Sequence, residues 1–175
     1  MNETRTSLRR SRERLVGEHI AAEAGGDWAA ALATFSRPRY EIVATGETHE
    51  GARAVSSFYR ESATAFPDLS FETRQLHHAD DAVLAEVTFV GTQRGTWRGL
   101  PPTGRAVRYA MLNVFVFEED RLVCERMYFD LATPMRQLGI ARDPTSLAGR
   151  ANIFVSHPLT VASAFVRSVL VRRST

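Results

Sequence analysis

The most constraining feature of this sequence is a change of period at Leu69. From there apolar and polar residues alternate with a period of two through four runs, at residues 69–79, 82–93, 105–117 and 121–130, which predicts four β-strands. The first two meet at Asp80 and Asp81 and the last two at Glu119 and Asp120. Joints this short force neighbouring strands antiparallel, because a parallel crossover needs about a dozen residues. The result is an antiparallel meander that must bury one face under helices. Between the second and third strands lies a Gly- and Pro-rich stretch, Arg94 to Gly104, too long for a simple hairpin turn and expected to be a functional or edge-covering loop.

Those helices are found upstream. Leu8, Leu15, Val16, His19 and Ile20 recur at helical spacing and Gly25-Gly26 follows, so a helix is expected over residues 7–24. Asp27 caps a second, from Trp28 to Phe35, which Pro38 ends; Tyr40 to Ala44 reads as a strand with a turn at Gly46; Gly51 opens a third helix that stops at Pro67. After the meander, Leu131 to Leu138 forms a short helix ended by Gly139, residues 141–157 read as linker, and Pro158 opens a final helix. Its apolar stripe is Leu159, Ala162, Phe165, Val166, Val169 and Leu170, with Arg167, Arg172 and Arg173 toward the end. Such a helix can sit on the body, cross to a second subunit or lie on a membrane; packing on protein is the expectation. The division expected is one α+β domain over residues 1–140 and a tail over 141–175.

Composition narrows the class. A length of 175 residues with 44% hydrophobic content suits one core. All 22 basic residues are Arg; residues 1–14 carry a net +3 and residues 141–175 a net +4, leaving −5 between them. Solvated basic termini explain this pattern without nucleic acid. Cys124 is the sole cysteine, so no intrachain disulfide can form and a reducing interior, the bacterial cytoplasm, is expected. Met1 to Arg14 is polar and no apolar run approaches membrane-spanning length, so neither a secretory signal nor a spanning helix is expected.

The last hairpin can be read residue by residue. With Glu119 and Asp120 as the central turn, Tyr109 faces Asp130, Met111 faces Tyr128, Asn113 faces Arg126 and Phe115 faces Cys124, all on one side of the sheet. The other side is apolar apart from Arg108 and Glu125. A mere core has no use for converging Arg, Asn and Asp, since an unpaired buried polar group costs about 1–3 kcal/mol. The mixed face is therefore the expected pocket wall and the apolar face the expected dimer surface. On that wall Asp130, desolvated near Tyr109, would be a base able to take a proton next to a carbonyl, while Arg126 opposes the pKa rise and Tyr109 or Tyr128 donates to a developing enolate. Equally, Asp130 can cap the helix beginning at Leu131.

Other residues point less sharply. His77 and His78 are adjacent on a strand and face opposite ways, so they cannot chelate one metal, and no His/Cys/Asp spacing suggests zinc. His19 lies on the buried stripe of the first helix and can reach the pocket or be a hydrogen-bonded core histidine; His49 and Glu50 fall at the rim. Cys124 has no base partner and reads as a small buried hydrophobe. Trp97 is a candidate lid, and Trp28, Phe58, Tyr59 and Phe66 line the cavity or fill the core.

The run Val90-Gly91-Thr92-Gln93-Arg94-Gly95-Thr96-Trp97-Arg98-Gly99-Leu100-Pro101-Pro102-Thr103-Gly104-Arg105, followed by Asp130 and Gln137-Leu138-Gly139, resembles the SnoaL-like polyketide cyclases and ester cyclases of the NTF2-like superfamily. The resemblance covers residues 12–140. It implies an α+β cone with a curved antiparallel sheet around N-terminal helices, usually a homodimer, and a single Asp acting as acid/base in an intramolecular aldol closure without metal or cofactor. Asp130 would be that residue. Tyr109, Met111, Asn113, Phe115, Arg126, Tyr128, Gln93, Trp97 and His19 would hold the substrate. Gln93 stands where many relatives have His, and the histidine some carry on the penultimate strand is absent, Asn113 being the nearest polar residue. The expected function is acid/base cyclisation or isomerisation of a small hydrophobic, polyketide-like carbonyl compound. A non-catalytic ligand-binding or dimerisation module is the alternative. Epoxide hydrolysis, which uses two aspartates bridged by an Arg, is disfavoured by a face with one Asp.

Overall fold

The computed structural model describes residues 2–172. Three helices and a small hairpin come first: α1 (Asn2–Ala24), α2 (Trp28–Ala33), β1 (Arg39–Ile42), β2 (Glu47–Glu50) and α3 (Gly51–Ala65). The meander follows as β3 (Ser70–His78), β4 (Ala82–Thr92), β5 (Ala106–Glu118) and β6 (Arg121–Phe129), then α4 (Ala132–Gln137), α5 (Leu147–Ser156) and α6 (Pro158–Arg172). The chain divides into two units, residues 1–138 and 139–175.

In the first unit the strands form one curved six-stranded sheet in the order β2-β1-β6-β5-β4-β3. The expected meander is present, and β1 joins it alongside β6 as the single parallel pair among the described strands. Local chemistry explains the element ends. Asp27 Oδ1 accepts from Ala30 N at 2.9 Å to start α2. The 94–104 loop is fastened to the end of α3, where Arg94 N donates to Ala65 O at 2.9 Å. Gly95 is required there, because a Cβ would lie 2.2 Å from Thr64 O. At the loop tip Arg98 and Gly99 both have positive φ, 52° and 77°, the signature of a two-residue type I′ turn.

The Gln-Leu-Gly triplet also has a structural job. β6 stops at Phe129, leaving the backbone of Arg108 on β5 without a neighbour; Gln137 replaces it, its Oε1 accepting from Arg108 N and its Nε2 donating to Arg108 O, both at 2.8 Å. Leu138 is buried, and Gly139 takes φ 76° where α4 ends.

One sequence expectation fails here, and it is decisive for the site. The turn at Glu119-Asp120 forms, with Glu118 opposite Arg121, although the positive φ (58°) falls on Glu119. A β-bulge then intervenes: Phe117 faces Leu122 but Val116 faces Cys124, so Val123 is an extra residue. Beyond it every pairing is displaced by one. Phe115 faces Glu125, Asn113 faces Met127 and Met111 faces Phe129. Since side chains alternate, Glu125, Met127 and Phe129 turn toward the concave face, and Cys124, Arg126 and Tyr128 turn outward.

In the second unit, the stretch read as linker contains α5. Ser146 caps it, its Oγ accepting from Gly149 N at 3.0 Å. Phe154 of α5 and Phe165 of α6 lie 6.5 Å apart between ring centroids. The side chains of Val169, Leu170 and Arg172 and the whole of Arg173, part of the expected stripe and basic end, lie outside the described residues.

Candidate functional site

The concave face of the sheet is filled in layers that the register defines. Nearest the open end are Phe89, Tyr109 and Phe129, with Phe89 and Tyr109 stacked at 5.0 Å and Tyr109 5.4 Å from Phe129. Phe66 and Trp97 close this ring from α3 and the loop, 5.5 Å apart. Inside it is a cavity of about 50 Å3 whose deeper wall is Ile42, Met111 and Met127. A polar recess of about 530 Å3, bounded by Glu47, His49, Phe58, Glu61, Ser62, Trp97 and Arg98, shares Phe58, Ser62, Trp97 and Arg98 with it. Arg98 fixes the recess wall through a two-pronged ion pair with Glu47, one prong 2.9 Å long.

Below the methionines lies a buried polar chain. Glu125 shares its layer with Tyr40 and Phe115, one step under the layer of Met127, Ile42 and Asn113. His19 and Glu23, one turn apart on α1, reach down from the helical side. His19 Nε2 stands 2.8 Å from Tyr40 Oη, 3.1 Å from Glu125 Oε2 and 3.3 Å from a Glu23 oxygen. Tyr40 donates a very short hydrogen bond to Glu23, Tyr59 donates to Tyr40 at 3.1 Å, and Asn113 Nδ2 donates to Glu125 Oε1 at 2.8 Å. His19, Glu125 and Tyr40 are fully buried and Asn113 and Tyr59 nearly so.

Proton positions follow by counting donors. The Thr34 hydroxyl has one hydrogen and gives it to Ala31 O at 2.6 Å, so at 2.7 Å from His19 Nδ1 it can only accept. Nδ1 therefore carries a hydrogen. Tyr40, having given its own proton to Glu23, accepts from Nε2, so His19 is the imidazolium. Burial alone would favour the neutral ring, but the Glu23 charge and the hydrogen bonds to Glu125 and Glu23 outweigh it and raise the pKa to about 10. Burial, and then the Glu23 charge, push the Glu125 carboxyl above the usual carboxylate range despite His19. The phenols of Tyr40, Tyr59 and Tyr109 are likewise raised by burial.

His19, Glu23 and Glu125 also form the one group among the described residues with metal-ligand chemistry, their atoms lying within 4.8 Å of one another. The Tyr40 hydroxyl bridges His19 and Glu23, while Glu125 Oε2 has no hydrogen-bond partner and faces only the charge of His19 at 3.1 Å.

The sequence-expected residues divide sharply. His19, Tyr109, Met111, Asn113 and Phe115 are buried in the interior and Trp97 borders the cavity. Gln93 is fully buried but faces its own loop: Nε2 lies 3.2–3.4 Å from Gly95, Leu100 and Pro101 carbonyls, and Oε1 accepts from Thr103 Oγ1 at 2.8 Å. The bulge puts Arg126, Tyr128 and Asp130 elsewhere. Arg126 pairs with Glu41 at 2.7 Å on the outer face, beside Cys124, whose thiol burial raises to about 11. Tyr128 is exposed. Asp130 is exposed too, and accepts from Ala132 N at 2.9 Å and Thr133 Oγ1 at 2.6 Å, holding the start of α4. Those bonds lower its pKa, the opposite of what a base in a dry pocket needs. The expected wall of Asp130, Arg126 and Tyr128 facing Tyr109, Asn113 and Met111 is thus corrected.

Glu23, Thr34, Tyr40 and Glu125 were not expected in the site, and Tyr59, read as cavity lining or core, joins the polar chain through Tyr40. One signal did mark Glu125: it is an acid interrupting an otherwise apolar alternation. Another marked Glu23, four residues after His19 on the same helix face.

Comparison with known proteins follows the same architecture. A putative SnoaL-like polyketide cyclase from Jannaschia Sp. CCS1 superposes with a TM-score of 0.68 at 20% identity, over 77% of this chain and 94% of that one. TsrD from Streptomyces laurentii gives 0.65 at 27% identity, over 75% and 97%. SalBIII, an epoxide hydrolase/cyclase-like enzyme of pyran ring formation in salinomycin, gives 0.61 at 19% identity, over 71% and 95%. No curated protein matches the chain significantly. Residues 15–138 match the family model described as SnoaL-like polyketide cyclase, and over that span, most of its length, the chain belongs to this family.

Proposed function

We propose that the protein is an acid/base enzyme that cyclises or isomerises a small hydrophobic carbonyl compound, with Glu125 as the proton-transferring residue. The observation that supports this reading is the placement of a raised-pKa carboxyl directly beneath an aromatic cavity, one layer below Met127. Glu125 takes a proton from the carbon next to the carbonyl and becomes the neutral acid. The charge of the His19 imidazolium, whose two hydrogens stay on Thr34 and Tyr40, stabilises the resulting enolate oxygen. The enolate carbon then either regains the proton at another position or attacks a second carbonyl, whose alkoxide takes it. The cavity of about 50 Å3 is far below the roughly 300 Å3 of ordinary ligand sites. Substrate entry therefore requires Met111 and Met127, unbranched and easily repacked, to swing aside and join the cavity to the polar layer.

A second reading, epoxide opening, gains from the same residues. Two buried carboxylates, Glu23 and Glu125, flank one cationic side chain, His19, which is the charge arrangement the sequence lacked when only Asp130 was considered. One carboxylate would deprotonate water while the protonated partner donates to the epoxide oxygen.

Two probes separate these readings. Deuterium incorporation next to the carbonyl of 2-tetralone, followed by NMR, should be accelerated by the wild-type chain and not by Glu125→Gln. Styrene oxide should be converted to its diol only if the second reading holds. If neither probe reacts but 2-tetralone binds both proteins equally, the chain is a binding module.

A further inference from the structure

We propose that the C-terminal helical pair, α5 and α6, is a binding element for the surface of an anionic lipid bilayer. This rests on the second unit alone and not on the reading of the pocket. Of the ten large hydrophobic side chains exposed among the described residues, eight belong to residues 139–175. Leu147, Val155 and Leu159 are each more than 80% exposed, and Phe165 60%. Single exposed apolar residues need no explanation, but a run of them on two consecutive helices does.

Charge decides what covers them. From Pro144 to Thr175 there is no Asp or Glu, while Arg150, Arg167, Arg172 and Arg173 are present. An acid-free segment offers a protein partner no alternation of sign to fix a register, whereas anionic headgroups over an acyl boundary match a cationic, apolar surface with no register at all. In α6, Leu159, Ala162, Phe165 and Val166 share one side at helical spacing, while Thr160 and Arg167 share another. At 15 residues α6 is about 22 Å long, too short for a hydrocarbon core of about 30 Å, and no helix among the described residues is long and apolar enough to cross a membrane. The helix pair therefore lies in the interfacial plane with Phe154 and Phe165 inward.

The test is co-sedimentation of the full chain with vesicles of phosphatidylglycerol and phosphatidylcholine, against phosphatidylcholine alone. Binding is expected to the anionic vesicles only and should fall steeply as salt rises to about 0.5 M. The double change Arg150→Gln with Arg167→Gln, which keeps good helix formers, should weaken binding about 30-fold. Phe154→Glu with Phe165→Glu should abolish it. Far-UV circular dichroism must show unchanged helix content in both variants. Absence of binding to anionic vesicles, or wild-type binding by the phenylalanine variant, overturns the proposal. So does light scattering showing that the same variants dissociate a lipid-free oligomer, because the face then belongs to a second copy.

Discussion

At the scale of single residues, two carboxylates make opposite predictions. Asp130 is solvent-exposed and spends both oxygens on the first turn of α4, and because Asn caps a helix about as well as Asp, Asp130→Asn should leave both stability and turnover of a carbonyl probe nearly unchanged. Glu125 is buried under the cavity, and Glu125→Gln, which preserves the contact with Asn113, should lower turnover by about 100-fold or more with little change in probe affinity. Steady-state kinetics of the two variants checks both statements. Asn113, Met111, Phe115 and Tyr109 were legible as interior because β5 alternates without interruption, and His19 because it lies on the apolar stripe of α1. Glu125 stayed hidden for a physical reason: a bulge adds one residue with no compositional mark, and Val123 is an ordinary strand former.

At the scale of elements, most starts and stops were legible because they have local causes, such as the Asp27 cap and the two-residue turns. The helix inside the supposed linker of residues 141–157 was missed, although Ser146 caps α5. The bulge itself is testable. Deleting Val123 would close the bulge and leave every pair beyond it in place, Val116 with Cys124 and Phe115 with Glu125, so that Glu125 and Met127 stay inward. A folded protein, destabilised by about 1 kcal/mol, is expected by urea denaturation. The 94–104 loop makes a second case. Gln93 is its internal scaffold, so Gln93→Leu strands Thr103 and three carbonyls. It should cost about 2 kcal/mol and make the loop a preferred site of limited proteolysis, while Gln93→Glu, unable to donate to those carbonyls, should rescue little.

At the scale of the whole molecule, the buried polar layer couples stability to pH. Unfolded, His19 loses its proton near its ordinary value of 6.5; folded, it keeps it up to about 10. Between those values the native state holds the extra proton, so the stabilisation is complete below pH 6.5, declines as pH rises and is gone above about 10. Glu125, also raised, acts with the same sign, since the folded form again prefers the proton. Glu41, Glu72 and Asp130 are lowered and act oppositely, losing stabilisation as pH falls, but all three are paired at or near the surface where water screens them. The interior sign should therefore dominate. Urea unfolding at a series of pH values is expected to show the first unit losing on the order of 3 kcal/mol between pH about 6.5 and about 10. His19→Gln should be less stable than wild type at neutral pH, because Glu23 and Glu125 lose their shared cation, and nearly flat across the same window. An alkaline decline of equal slope in both proteins would mean that the imidazole does not carry the linkage, and with it the donor count that makes His19 the cation beside Glu125 would fall.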